Sequence, residues 1–225
     1  MAYRETDRVR ARKAEARSRL IAAAFALVTK GGFRNAQVSQ VAELAGVATG
    51  SVYRHFASKG ELFSEVFRIA TQKEVDKVSE ALATPGSALE RLERALRTFA
   101  VRALKAPTLA WSLIAEPVDP QVDADRLQYR LAYAELFQRA IEEGTATGEL
   151  PPQDPRISAT ALVGTIAEVL VGPLSPGSHA ALGASGPSHQ HHLVEGIVRF
   201  CLQALTGKAL NTDNSPQSFA EGASS

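Results

Sequence analysis

Apolar residues along this chain recur at intervals of three and four, and no stretch alternates as a half-buried strand would. Leu20, Ala24, Leu27 and Val28 mark one helical face, which Gly31-Gly32 closes. The pattern predicts four helices in the first part, over residues 15–30, 38–45, 49–56 and 58–82. Ser58-Lys59-Gly60-Glu61 has a serine at the cap and a glutamate three residues on, which starts the fourth helix. Pro85-Gly86 ends it and offers the best junction between two parts of the chain. Beyond it, Leu89, Leu92, Leu96, Phe99 and Leu104 predict a helix over 87–105, and a short one follows over 108–115. Leu127, Leu131, Ala134, Phe137 and Ile141 predict a long amphipathic helix over 122–143. Residues 155–171 are apolar nearly all round, which predicts a buried helix, and a last helix is expected over 191–206. Residues 172–192, rich in Gly, Pro, Ser and His, read as a long loop, and 207–225 as a disordered tail.

The densest signal lies between Val38 and Lys59, in V-S-Q-V-A-E-L-A-G-V-A-T-G-S-V-Y-R-H-F-A-S-K. Ala42 lets a second helix approach closely, and Gly46 turns the chain between the two. Val41, Ala45, Val47 and Val52 clamp the pair from inside. Thr49, Gly50, Ser51, Tyr53, Arg54 and His55 remain to face outward, the first three at the end that enters a major groove. Arg54 suits either a base edge or a phosphate. Tyr53 and His55 suit phosphates, or alternatively pack against the neighbouring helices.

Three short helices feeding a long fourth, with G-V-A-T-G-S-V-Y-R-H-F-A-S-K-G-E-L-F across the junction, resemble the TetR family of transcriptional regulators. The resemblance runs from Ile21 to Phe67; beyond that it rests on length and the all-helical pattern. It implies base and phosphate contacts at Thr49, Gly50 and Ser51, and phosphate contacts at Tyr53, His55 and Lys59. Two positions depart from the family pattern. Ala48 replaces a capping serine or threonine, and Ala36-Gln37 replaces the usual hydroxyl pair, which leaves Ser39 and Gln40 as polar candidates there. The implied fold class is all-α. An N-terminal three-helix helix-turn-helix DNA-binding domain (1–60) is joined by a long helix (61–84) to a C-terminal helical ligand-binding and dimerisation domain (61–206).

Charge divides the chain in the same place. The net charge is +1, but residues 1–60 hold 11 Lys/Arg against 4 Asp/Glu, whereas 61–225 hold 14 against 20. A basic end carrying a helix-turn-helix suits a polyanion, because neutralised phosphates release counterions. The acidic remainder orients the molecule on it. Arg8, Arg10, Arg12, Lys13 and Arg17 either extend the first helix or form an arm. The N-terminus, charged from Arg4 onward, lacks a secretory core, and no apolar run reaches the roughly 18 residues that span a bilayer. A cytoplasmic protein with no membrane partner is therefore expected.

A single helix-turn-helix reads few base pairs, so double-stranded DNA with a palindromic operator and a homodimer are the expected partners. Ala159, Ala161, Gly164 and Ala167, with Leu193, Ile197, Phe200 and Ala204 on the last helix, are the candidate dimer seam. The family logic adds a small-molecule effector. Phe99, Trp111, Tyr129, Tyr133 and Phe137 are candidate pocket residues, the last three forming one stripe that is equally an ordinary core. Glu168, alone in an apolar helix, either meets a cationic ligand, pairs with Arg130 or Arg199, or faces solvent. Glu116 is a further ligand candidate at a helix end. No cofactor is implied, and His179, His189, His191 and His192 lack the partners a metal site needs. Cys201 reads as a small core residue. No phosphate loop, zinc helix or nucleophile elbow is present, which argues against an enzyme. The alternative to a ligand-responsive regulator is a DNA-binding structural or protein-partner-controlled factor without an effector; a solid core at Trp111 and Tyr133 would favour it.

Overall fold

The computed structural model describes residues 7–178 and 186–208, and among them every regular element is a helix. The first four are α1 (Asp7–Asn35), α2 (Val38–Ala45), α3 (Thr49–Val52) and α4 (Lys59–Leu82). Then come α5 (Ala88–Lys105), α6 (Pro107–Ile114), α7 (Pro120–Ala146), α8 (Pro155–Leu174) and α9 (Gly186–Thr206).

Local chemistry sets most boundaries. Ser58 Oγ accepts from the Glu61 N–H at 3.0 Å to start α4, and Ser87 Oγ accepts from the Glu90 N–H at 3.2 Å to start α5. Pro107, outside both helices expected from the sequence (87–105 and 108–115), is the first residue of α6, where its missing N–H costs nothing. Gly46, at φ 67°, caps α2, and Val47 N donates back to Ala42 O at 3.0 Å, which makes the tight turn into α3. The α2 bounds are those expected from the sequence.

Several elements differ from expectation. α1 begins at Asp7, so its arginines extend the helix and do not form an arm; residues 1–6 lie outside the described residues. α3 ends at Val52, short of the expected 56; turns in which the His55 and Phe56 N–H groups donate to Val52 O carry the chain on to Phe56, which is 1% exposed. α9 starts at Gly186, so His189, His191 and His192 are helical, whereas His179 and residues 209–225 lie outside the described residues. At 20 residues, α8 is long and apolar enough to cross a membrane by length and composition, contrary to the sequence reading. Its Leu162, Ile166, Leu170 and Leu174 are nevertheless buried against the neighbouring helices, as in a core helix. Its opposite face, with Ile157 and Val169, is open, so the helix is not buried all round.

The buried apolar residues form two clusters. One joins α1–α3 to the start of α4 through Leu20, Val41, Val52, Phe56 and Phe67. The other joins the rest of α4 to α5–α9 through Val78, Leu96, Phe137, Ile166 and Cys201. α4 therefore runs through both. Burial pushes the Cys201 thiol up to about 11, which keeps it a neutral core group.

Gly32 breaks α1 with φ 79° and ψ 175°, a conformation that side chains disfavour, and a Cβ there would stand 2.7 Å from Glu116 Oε1. Gly32→Ala should lower stability by about 2 kcal/mol or more. Chemical denaturation would check this, and an unchanged midpoint would show that the bend is not fixed by Gly32.

Candidate nucleic-acid interface and effector cavity

α3 is positioned by its buried side. Val52 and Phe56 anchor it in the N-terminal cluster, which leaves Thr49, Gly50 and Arg54 exposed, Ser51 half-buried and Tyr53 52% exposed. At that exposure the Tyr53 ring is not packed inside the N-terminal cluster. Ala48 gives no side-chain cap, and no other side chain takes that place. Ser39 is exposed at the start of α2, whereas Gln40 turns its amide oxygen back to accept from Gln37 N at 3.1 Å. Lys59 is exposed, with its ammonium 5.4 Å from the Phe63 ring centre.

His55 sits half-buried among cations. Burial, then Lys13, Arg17 and Arg54, lower its pKa below the usual histidine value. Arg17 lies 4.8 Å from the Phe56 ring centre and donates to Glu65 at 3.2 Å. It thereby ties α1 to α4 and, chiefly through that bond, holds the Glu65 carboxyl below its ordinary value.

A second feature lies between α4, α5, α6, α7 and α8. It is a largely apolar pocket open to solvent, and its empty space of about 770 Å³ includes that open mouth. Of the sequence candidates Phe99, Tyr129 and Tyr133 line it, with Phe67 from α4 and Leu109, Leu113 and Ile114 from α6. Tyr129 spends its hydroxyl proton on Arg68 O at 3.0 Å. Tyr133 is 7% exposed, edge-on to Phe99, and burial raises its hydroxyl above the ordinary tyrosine range. Glu74 and Arg102 line one side as a two-bond ion pair of 2.5 and 2.8 Å.

Four sequence candidates do not line the cavity. Phe137 is fully buried in the C-terminal core, and Trp111 packs against that core. Glu168 is exposed on the outer face of α8, away from the cavity. Glu116 is 5% exposed and its carboxylate accepts two backbone N–H groups of α1, from Phe33 at 2.8 Å and Arg34 at 2.9 Å. These are the donors that the bend at Gly32 frees.

Arg126 is a wall residue that the sequence reading does not single out. Its side chain is 12% exposed, and it donates to Leu113 O, Ser112 O and Glu116 O at the end of α6, and to Asp123. Desolvation lowers its pKa, and the α6 carbonyls offset the loss of water. The readable signal is that Val122, Arg126, Tyr129 and Tyr133 share one face of α7, an arginine inside an apolar stripe.

Comparisons with known proteins agree with this architecture. A family model for bacterial regulatory proteins of the tetR family matches residues 20–66, and one for the tetracyclin repressor-like C-terminal domain matches residues 85–171. The transcriptional repressor KstR2 of Mycobacterium tuberculosis is 26% identical over 145 residues, covering 61% of this chain and 72% of that protein. The fatty acid metabolism regulator protein of Bacillus subtilis is 23% identical over 157 residues, 67% of this chain and 79% of its own length. The solved structure of FadR from Bacillus subtilis, in complex with stearoyl-CoA, is 19% identical and shares the fold. The TM-score is 0.67 over 84% of this chain and 98% of that one. The chain belongs to the TetR family of transcriptional regulators, DNA-binding proteins and not enzymes.

Proposed function

We propose that this regulator is a repressor that holds a palindromic operator as a homodimer and releases it when an apolar small molecule fills the cavity. The observation that carries the reading is the apolar pocket, one wall of which is α6, the helix whose end is tied to α1. A ligand can shift an equilibrium only by binding one arrangement better than another. Leu109, Leu113 and Ile114 give it a surface on α6 to act on. Glu116 and Arg126 carry a displacement of α6 to α1, because separating them would leave buried N–H and C=O groups without partners. The named activity of KstR2 as a repressor supports repression, and the stearoyl-CoA complex of FadR supports an apolar effector.

The dimer reading rests on an open face. Ile157, Ala161, Gly164 and Val169 of α8 and Phe200 and Ala204 of α9 are exposed, with Ile157 at 67% and Phe200 at 59%. A two-fold pairing there would set the two α3 helices for half-sites about 34–36 Å apart. Nothing lies within 4 Å of a Cβ built at Gly164, so a side chain there leaves the monomer undisturbed.

Fluorescence anisotropy on the DNA flanking the protein's own gene, against an unrelated duplex, tests the whole. Preference of about a thousandfold is expected. Gly164→Glu should be monomeric by light scattering and lose most of that affinity. Equal, weak binding to both duplexes would sink the operator reading, and a dimeric variant would move the interface elsewhere. Tyr53→Ala and Arg54→Ala should weaken binding roughly tenfold or more without moving the melting temperature. A large loss of stability would make them structural residues.

The pH dependence has a definite sign. The free protein holds His55 neutral to lower pH than an isolated histidine, and a phosphate beside it would raise its pKa, so binding takes up a proton. Affinity at fixed ionic strength should therefore rise roughly three- to tenfold from pH 8 toward pH 6. His55→Gln should flatten the profile. A slope that persists in the variant would place the proton uptake on another group.

A further inference from the structure

Thr71 is a buried polar side chain of the cavity wall whose hydrogen bonding is left open. It is 5% exposed, it lines the cavity, and its hydroxyl has no hydrogen-bond partner. A threonine on a helix ordinarily turns its hydroxyl to the carbonyl four residues back, as Thr29 and Thr160 do here at 2.9 and 2.8 Å. A buried hydroxyl without a partner is costly, and such a group in a native structure calls for a reason. An occupant of the cavity supplies one.

The surroundings limit what that occupant can be. Glu74 lies one helical turn from Thr71 on the same face of α4 and also lines the cavity. Its charge is taken up by the two bonds to Arg102, so the pair is closed and neutral as a whole. Arg126, the next cation in the wall, is engaged with three carbonyls and Asp123. Arg130 is the exposed member of the lining, at the solvent side. A carboxylate brought to Thr71 would therefore meet Glu74, with Arg102 and Arg126 already engaged and Arg130 on the exposed side, whereas an uncharged oxygen meets only a hydroxyl in need of a partner. Phe67, Val78 and Phe99 supply the apolar surface for the rest of the molecule.

We infer that the effector is an apolar molecule carrying an uncharged oxygen, a hydroxyl or a ketone, ester or thioester carbonyl, which hydrogen-bonds Thr71 Oγ1 inside the cavity. Any anionic group it carries lies outward, on the side of Arg130. The inference rests on the effector reading of the cavity and adds the chemistry that the site selects.

The test uses the full chain and Thr71→Val, which keeps the shape and removes the hydroxyl. Displacement of the uncharged dye N-phenyl-1-naphthylamine is measured with four ten-carbon probes: decan-2-one, decan-1-ol, decanoate and 1-chlorodecane. In the wild type the ketone and the alcohol should displace the dye about tenfold more tightly than decanoate or the chloroalkane. Thr71→Val should lose that advantage while keeping its affinity for the dye and the chloroalkane. Its melting temperature without ligand should equal or exceed that of the wild type, since a buried unpaired hydroxyl has gone. If the dye is bound but the ketone has no advantage, or keeps it in the variant, the Thr71 inference fails alone. A marked fall in the variant's melting temperature would mean that the hydroxyl has a partner within the protein, and would overturn it as well. Failure of the dye and every probe to bind either protein would overturn the effector reading of the cavity together with it.

Discussion

The carboxylate of Glu116 is the constraint on which the arrangement of the two halves depends. α1 bends at Gly32, and a helix bent there would leave the buried Phe33 N–H and the part-buried Arg34 N–H without helical acceptors. Glu116 meets both of them, one with each oxygen. Its backbone carbonyl meanwhile accepts from Arg126 of α7 at 2.7 Å. One residue thus binds α1 through its side chain and α7 through its main chain, at the end of the helix that walls the cavity. Each unmade bond of this kind costs about 1–3 kcal/mol. The junction is therefore more directional than apolar packing, which can slide, and under the proposed mechanism it is the route by which a shift of α6 would reach α1. Phe33 strengthens the same contact from the other side, its ring edge-on to Phe63 at 5.9 Å and near Phe67 at 6.2 Å.

The sequence made some of this legible and concealed the rest, for physical reasons that differ from residue to residue. Ser58 with Glu61, Ser87 with Glu90, and Gly46 between two apolar runs act within four residues, so the chain alone states them. The start of α9 was hidden because Gly186, Pro187 and Ser188 read as loop, and a helix begun on such residues is held by packing further along. The two lone carboxylates were beyond reach. Glu116 and Glu168 are both carboxylates in apolar surroundings in the sequence, yet one is buried on the backbone of a helix more than 80 residues away and the other lies on the open outer face of α8. Only the tertiary fold separates them. Arg126 and Thr71 stood on apolar stripes and were readable as exceptions to a pattern, although not their partners or lack of them.

The two halves also handle charge differently. In the C-terminal part arginines are matched to carboxylates across helices: Arg97 to Glu195, Arg102 to Glu74, and Arg91 to Glu143. In residues 1–60, 11 basic side chains share the segment with 4 acidic ones, so local pairing cannot neutralise them. Such a surface repels itself in the free protein, and polyanion binding relieves that repulsion. The lowered pKa of His55 registers the same excess at one residue, since after desolvation its causes are Lys13, Arg17 and Arg54. A phosphate in that neighbourhood would be attracted by the three cations before it met the histidine at all.

The cavity and the junction share side chains, and this bears on how the protein could respond to an occupant. Phe67 lines the cavity and also touches Phe33, next to the Glu116 bonds. Tyr129 lines it while its ring is edge-on to Phe67 at 6.0 Å and its hydroxyl is bonded to α4. Arg126 lines it while its guanidinium holds the end of α6. A molecule seated among these groups cannot adjust one without pressing on the α1 junction, because close-packed interiors move between discrete arrangements and do not deform smoothly. Polar selection by Thr71, one helical turn along the same wall from Phe67, would then fix which molecules exert that pressure.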